Sequence, residues 1–181
     1  LDFTSAGTSL FPNDGGVLYH CTEDLKNGFY SDKADYLIRL VVNTMENHFP
    51  QRSLAIITPF RDTVKELQKR FSIADIDLDI TIETIDRIQG MTVDYAILYI
   101  PGRNPSFALE ERRFNVATSR SLSTTLIISD MPLGQLHSVP PSVIKFINLC
   151  DKMDGNLSIE QAHVINAETN MENSQQQEVD N

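Results

Sequence analysis

The chain has 181 residues, an apolar fraction of 41% and a formal net charge of −10 at pH 7. This length fits one compact domain with an extension, and the acidic charge argues against nucleic-acid binding through a general electrostatic coat. No segment approaches the about 18 consecutive apolar residues of a membrane span, so no membrane partner is expected. Cys21 and Cys150 are too few and too distant for a zinc site or a disulfide framework, which indicates reduced thiols.

Composition divides the chain into three parts. Residues 1–16 are rich in Gly, Ser and Thr and predict a flexible lead-in, and residues 17–150 carry the apolar segments of one domain. Residues 151–181 contain seven acids and one lysine, a net charge of −6, and their Asn, Gln and Ser content predicts a disordered acidic tail. The chain begins with Leu1 rather than Met and shows no signal peptide, so we expect a fragment or a processed intracellular protein.

Strands and helices alternate in the pattern of the domain. A helix is expected over 32–49, with Ser31 or Asp32 as its N-cap and Pro50 after its end. The segment 101–108 is expected to be a loop. The other predicted helices cover 62–71, 110–121 and 141–150, and the predicted strands cover 17–21, 54–58, 79–85, 95–100 and 124–128. Strands that are apolar on both faces and alternate with helices predict an α/β fold with a mostly parallel sheet covered on both sides.

Ligands of open α/β sheets bind beyond the carboxyl ends of the strands, so the polar residues there are candidates for a site. Thr58, Phe60 and Arg61 follow one strand, and an aromatic ring beside an arginine can stack on a base and reach a phosphate. An ordinary loop, with a Phe that caps the core and a solvated Arg, remains the alternative.

A second candidate segment follows the strand 79–85. Its Thr84 hydroxyl and backbone amides could hold a phosphate oxygen, and Gly90 would allow a close backbone approach. Asp86 and Gln89 lie in the same segment. An ordinary turn is the alternative.

The third candidate segment is the predicted helix over 110–121. Arg113 and Arg120 are seven positions apart, so a helix would place them on one face, about two turns from each other, with Asn115 between them. Arginine stabilises the charge on a transferring γ-phosphate. A solvated basic helix is the alternative.

The order and spacing of these segments resemble the superfamily 1 helicases, in the branch that contains the nonsense-mediated-decay helicase. Residues 56–61 (IITPFR) resemble motif IV, residues 84–90 (TIDRIQG) resemble motif V, and residues 113–120 (RFNVATSR) resemble motif VI. The resemblance covers about residues 17–150. It implies the second, C-terminal RecA-like domain of a helicase motor, with an α/β, P-loop-NTPase-type sheet.

The resemblance also implies a role for each matching residue. Arg120 would be the catalytic arginine finger on the γ-phosphate, with Arg113 beside it. Phe60 would stack on or flank the adenine, and Arg61 would approach the phosphates. The residues implied to line the nucleotide cleft are Gln89, Gly90 and Asn115, and those implied to contact the nucleic-acid strand are Thr58, Thr84 and Asp86.

Two kinds of departure from the family pattern stand out. Thr92 replaces a glutamate of motif V, and Thr63 replaces a glutamine of motif IV. The larger difference is that no Gly-x-x-x-x-Gly-Lys-Ser/Thr phosphate loop occurs in the chain. In the family that loop belongs to the first RecA-like domain, which would hold ATP and Mg²⁺. We therefore expect this chain alone to be inactive and to need that domain and single-stranded DNA or RNA as partners.

Two other readings stay open. A degenerate, noncatalytic RecA-like module that binds protein or nucleic acid would explain Thr63 and Thr92. A small nucleotide-binding α/β protein that acts alone would need a Gly-rich loop after a strand, whereas Gly15 and Gly16 precede one. The four histidines are dispersed, so no metal site is expected.

Overall fold

The computed structural model describes residues 16–71 and 76–152. The strands are β1 (Gly16–Cys21), β2 (Leu54–Thr58), β3 (Ile80–Thr84), β4 (Val93–Ile100), β5 (Ser121–Ser129) and β6 (Asp151–Lys152). The helices are α1 (Asp32–His48), α2 (Arg61–Arg70), α3 (Pro105–Ala108), α4 (Glu111–Thr118) and α5 (Pro141–Leu149), with a 3₁₀ turn at Leu133–Gln135. The six strands form one sheet in the order β3-β2-β4-β5-β1-β6, and every pairing is parallel.

Helices cover both faces of this sheet. Alternate residues of each strand point to opposite sides, so each strand contributes to two cores. Ile56 packs into a core with α1 and α2, whereas its neighbour Ile57 packs into a second core with α3, α4 and α5. All five residues of β2 are buried, as expected of a strand covered on both faces. The predicted α/β, RecA-like fold class is confirmed by this arrangement.

Most predicted elements are present within one or two residues of their expected bounds. Ser31 is the N-cap of α1, where its Oγ accepts the N–H of Ala34 at 3.1 Å. The chain leaves that helix at Phe49, before Pro50. The sheet also includes Gly16, from the predicted lead-in, and Asp151–Lys152, from the predicted tail. The rest of the lead-in and of the acidic tail lies outside the described residues.

Two predictions about secondary structure were wrong. The expected loop over 101–108 contains α3, which begins with Pro105 after Asn104 in the left-handed conformation (φ 45°). Proline suits this position because its fixed φ is already helical and its missing N–H would have had no partner there. The helix predicted over 110–121 ends at Thr118, since Ser121 already pairs with Val93 in the sheet. Arg120 therefore lies outside α4.

Among the described residues, no helix is long and apolar enough to cross a membrane.

Candidate functional site

The last residue of β2 and the residues that follow it lie at the carboxyl edge of the sheet. Thr58 is fully buried, and its Oγ1 has no hydrogen-bond partner among the described residues. Phe60 is the N-cap residue of α2 and makes no side-chain capping bond, and Arg61 is exposed as the first residue of that helix. Of these three predicted site residues, Phe60 and Arg61 are accessible and Thr58 is not.

Three phenylalanines form an aromatic row at this edge: Phe29, Phe60 and Phe107. The ring of Phe60 stacks on Phe107 (centroids 5.7 Å apart, planes at 19°) and meets Phe29 edge-on at the same distance (77°). An arginine packs on the ring at each end of the row. The guanidinium carbon of Arg103 lies 4.6 Å from the ring centroid of Phe29, and the guanidinium carbon of Arg113 lies 4.1 Å from the ring centroid of Phe107. The ring predicted to flank an adenine is thus already packed against two neighbours.

The turn after β3 runs from the carboxyl edge to the amino edge of the sheet, since it joins the end of β3 to the start of β4. Thr84 is buried, and its carbonyl accepts the N–H groups of Arg87 and Ile88 at 3.0 Å each. Ile88 is fully buried and anchors the turn in the core beneath α4. The predicted site residues Asp86 and Gln89 are exposed.

Gly90 owes its place in this turn to backbone conformation. Its φ is +88°, which side chains disfavour, and a Cβ built there would meet nothing within 4 Å. Within the described protein, backbone conformation is therefore the feature that favours glycine at this position, and the side of Gly90 where a Cβ would stand is open.

Helix α4 runs beside this turn in the same direction. Arg113, near its start, reaches across to Asp86 (Nε to Oδ1, 3.6 Å) and donates from Nη1 to Oε2 of Glu110 at 3.1 Å. Asn115 is exposed in the next turn. It lines an open groove of about 500 Å³ with Glu110, Glu111, Arg112, Val116 and Ser119. This groove is the accessible surface that α4 offers.

Arg120 lies at the amino edge of the sheet, at the other end of α4. Its Nε donates to the carbonyl of Val116 at 2.7 Å, and Nη2 donates to Oγ of Ser119 at 2.8 Å. A longer bond of 3.4 Å runs from Nη1 to the carbonyl of Met91, in the turn after β3. All three acceptors are neutral, and Arg120 forms no ion pair with any residue that the structure describes.

Most of the predicted site residues therefore form one strip rather than one cluster, and no side-chain hydrogen bond or ion pair joins Thr58 or Arg61 to it among the described residues. The turn 85–92 contacts α4 through Asp86 and Arg113 at the carboxyl edge, and it contacts Arg120, just beyond α4, through Met91 at the amino edge. Phe60 joins the strip at the carboxyl edge through Phe107. Sequence reasoning missed Phe29, Arg103 and Phe107, because they lie outside the three recognised segments.

A buried polar network lies next to the strip at the carboxyl edge. The carboxylate of Asp130 accepts hydroxyl hydrogen bonds from Thr22 (2.8 Å), Ser31 (2.7 Å) and Tyr99 (2.7 Å). Burial, followed by the charge of Asp130, raises the pKa of Tyr99 above its ordinary value. With three donors on a carboxylate that is 2% exposed, the network ties β1, β4, β5 and α1 together.

No group of three or more His, Cys, Asp or Glu side chains within 16–71 and 76–152 could hold a metal ion. A larger open groove, of about 600 Å³, lies between the 3₁₀ turn and α5 and contains none of the predicted site residues.

Comparison with known proteins relates the chain to one domain family and to two helicases. A family model described as an AAA domain (AAA_12) matches residues 20–132. The chain is 30% identical over 106 residues to the DNA polymerase alpha-associated DNA helicase A of Saccharomyces cerevisiae, covering 54% of this chain and 16% of that protein. It is 27% identical over 121 residues to Helicase sen1 of Schizosaccharomyces pombe, covering 61% of this chain and 7% of that protein.

Among solved structures, the Sulfolobus solfataricus SWI2/SNF2 ATPase core in complex with dsDNA matches 75% of this chain and 32% of its own, at 12% identity and a TM-score of 0.46. The chain thus spans a small part of each helicase that it resembles. The two named relatives support the coarser prediction, a superfamily 1 helicase-like domain. Since the family model matches more than half of its residues, the chain belongs to the AAA domain family.

Proposed function

We propose that this domain is the C-terminal motor half of an ATP-dependent superfamily 1 helicase that moves on single-stranded DNA or RNA. Arg120 is its arginine finger and acts on a nucleotide held by a separate phosphate-loop domain. The observation that carries this proposal is the environment of Arg120, whose guanidinium is fixed in place by neutral acceptors only. The helicases among its relatives support the same reaction class.

The two motif arginines differ in the charge that they offer. Arg113 has two carboxylates beside it, those of Asp86 and Glu110, which offset its positive charge. Arg120 keeps its full charge, because carbonyl and hydroxyl oxygens orient the guanidinium without neutralising it. A preoriented, uncompensated arginine is what stabilises negative charge that develops in a phosphoryl-transfer transition state. We therefore assign the finger to Arg120 and a supporting place to Arg113.

The residues of the strip fit one side of an ATP cleft. Asn115 lines the groove along α4, and Gln89 and Gly90 are exposed on the adjoining turn. Bound ATP supplies the γ-phosphate on which the finger acts. The described residues contain no acidic cluster for Mg²⁺ and the sequence contains no phosphate loop, so the other domain would hold the metal and the phosphates. We expect the chain by itself to hydrolyse no ATP.

For the nucleic-acid strand we propose contacts at the carboxyl edge of the sheet, around Thr84 and Asp86. Only Asp86 of the three predicted contact residues is exposed, whereas Thr58 and Thr84 are buried. A strand at this edge would therefore meet the backbone of the turn first. Sequence-independent contacts of this type suit a motor that moves along any sequence.

The experiment is an ATPase assay on the full-length protein that carries this chain with a phosphate-loop domain, with and without single-stranded DNA and RNA. Arg120→Ala should lower the stimulated rate by about 10³–10⁵-fold. Arg70→Ala removes an arginine from α2, on the opposite face of the sheet from α4, where it pairs with the exposed Asp32, and is the matched control. A loss below tenfold in Arg120→Ala would reject the finger.

The second candidate is a noncatalytic RecA-like module that binds protein or nucleic acid. Two observations favour it: the ring of Phe60 is packed between Phe29 and Phe107, and Thr63, which departs from the family pattern, is fully buried and donates to the carbonyl of Phe29 at 2.8 Å. A strand-binding measurement made beside the ATPase assay separates the two: a folded full-length protein that binds single strands without hydrolysing ATP would establish the module instead.

A further inference from the structure

Arg113 has an unusual set of neighbours. Its Nε–H is buried and makes no hydrogen bond with any described residue, and Oδ1 of Asp86 lies 3.6 Å from Nε, beyond hydrogen-bond distance. Both acids beside it are themselves exposed, Asp86 at 70% and Glu110 at 50% of the side chain. Water screens such pairs, so they hold a flexible side chain only weakly.

The ring of Phe107 faces the same guanidinium, with its centroid 4.1 Å from the guanidinium carbon of Arg113. A ring face attracts a guanidinium and presents a rigid flat surface to it. Phe107 is itself fixed on its other side by the stacked ring of Phe60, 5.7 Å away. The result is a three-layer stack of Phe60, Phe107 and Arg113.

We propose that Phe107 is a positioning residue that sets the orientation of the Arg113 guanidinium and couples it to Phe60. This stack joins the segment after β2 to α4 through a residue that belongs to neither segment. A ligand that displaces Phe60 would displace Phe107 and, through it, Arg113. The catalytic consequence rests on the proposed helicase function, whereas the positioning itself does not.

The positioning is tested on the 181-residue chain by NMR of the Arg113 Nε–H group, with its resonance assigned by its loss in Arg113→Lys. A guanidinium over a ring face shows an upfield ring-current shift. Phe107→Leu should abolish that shift, and Phe107→Tyr, which keeps the ring, should restore it. The matched control is Phe29→Leu, which removes a ring that meets Phe60 at the same 5.7 Å and faces Arg103 instead. An unshifted resonance in the wild type, or one unchanged by Phe107→Leu, would overturn the proposal.

The coupling is tested on the full-length protein by the stimulated ATPase rate. Phe107→Leu should lower kcat by about 10–100-fold, the cost of a misplaced active-site group, and leave the KM for ATP unchanged. The double variant with Arg113→Ala should be no slower than Arg113→Ala alone, since both changes act through one side chain. Additive losses would contradict the coupling. If the wild-type protein hydrolyses no ATP, the proposed function fails, and the NMR result still decides the positioning.

Discussion

Ser53 and Asp94 bond to each other in both directions. The N–H and the hydroxyl of Ser53 each donate to Oδ2 of Asp94 at 2.9 Å, and the N–H of Asp94 donates to Oγ of Ser53 at 3.0 Å. Nη1 of Arg52 adds a bond of 3.0 Å to Oδ1. This pair fastens the amino end of β2 to β4, at the edge of the sheet where Arg120 lies.

Acid should weaken this connection. The backbone N–H of Ser53 is the main cause that lowers the pKa of Asp94, and the Ser53 hydroxyl and Arg52 lower it further. A carboxyl whose pKa is lower in the folded state stabilises the fold above the unfolded-state pKa of about 3.9 and loses that contribution as pH falls through the folded value. Asp94→Asn should therefore cost about 1–2 kcal/mol at pH 7, and the difference from the wild type should shrink below about pH 4. Urea unfolding across about pH 2.5–7 measures this, because that range extends from neutral pH to more than one unit below the reference pKa.

The control for that series is Asp62→Asn, because Asp62 is 61% exposed and sits 3.7 Å from Lys65 in an exposed pair. We expect its effect on the free energy of unfolding to stay within about 0.5 kcal/mol. An Asp94→Asn difference that is the same at every pH would contradict the hydrogen-bonded carboxylate.

At high pH, Tyr99 should make the stability of the fold depend on pH. Burial and the charge of Asp130 raise the pKa of Tyr99, so the folded state favours the neutral phenol. Its contribution is complete below the unfolded-state pKa of about 10 and is lost as pH rises through the higher folded value. Tyr99→Phe should cost about 1–3 kcal/mol at pH 7, because it removes one of three donors from the buried carboxylate. Thermal or urea unfolding should show that this cost shrinks above about pH 10, and a constant cost would be the contrary result.

Two glycines make a matched test of how the loop over 22–30 packs: Gly28 lies within the loop, and Gly102 lies against it. A Cβ at Gly102 would clash with the carbonyl oxygen of Lys26, a backbone atom that has little room to move, whereas a Cβ at Gly28 would meet nothing within 4 Å. Gly102→Ala should therefore destabilise the fold by about 1–3 kcal/mol, the usual cost of overpacking. Gly28→Ala should be close to neutral. Equal midpoints of urea unfolding for the two variants would show that the loop does not pack against Gly102 in solution.

Two buried threonines make a second matched pair. Thr63 donates its hydroxyl to the carbonyl of Phe29 at 2.8 Å, and the hydroxyl of Thr58 has no partner among the described residues. Both side chains are 0% exposed. Thr63→Val should cost about 0.5–1.5 kcal/mol, and Thr58→Val should be neutral or stabilising, because it removes an unpaired buried polar atom. Chemical denaturation decides this, and a destabilised Thr58→Val would mean that Thr58 bonds to a group outside the described residues.

The sequence was a good guide where one physical signal dominated. The uninterrupted apolar residues of β2 predicted a strand buried on both faces, and the periodicity of α1 with its Ser31 cap predicted that helix almost to the residue. The end of α4 was harder, because Ser119, Arg120 and Ser121 suit a helix as well as the start of a strand. Pairing with β4, which the local sequence does not encode, decided the boundary.

The site was predictable as a set of segments but not as a set of contacts. The motif spacing drew attention to Arg113 and Arg120, and the structure places both side chains beside the turn 85–92, one at each edge of the sheet, with Arg120 beyond the end of α4. No sequence pattern pointed to Phe107 as a site residue, since it lies in a short helix that begins with Pro105 and its ring contacts come from other parts of the chain. The network around Asp130 was missed for the same reason: Thr22 is 108 positions away.

Helix α4 has eight residues, a length of about 12 Å, with no proline or glycine to bend it. Its first turn is attached to Asp86 and Phe107, and its end is attached through Arg120 to Met91. The backbone of Arg120 is held separately, since its carbonyl accepts the N–H of Val93 in the sheet at 3.0 Å. The turn 85–92 is thus a segment that contacts both motif arginines, and a shift of this turn would change the surroundings of both at once.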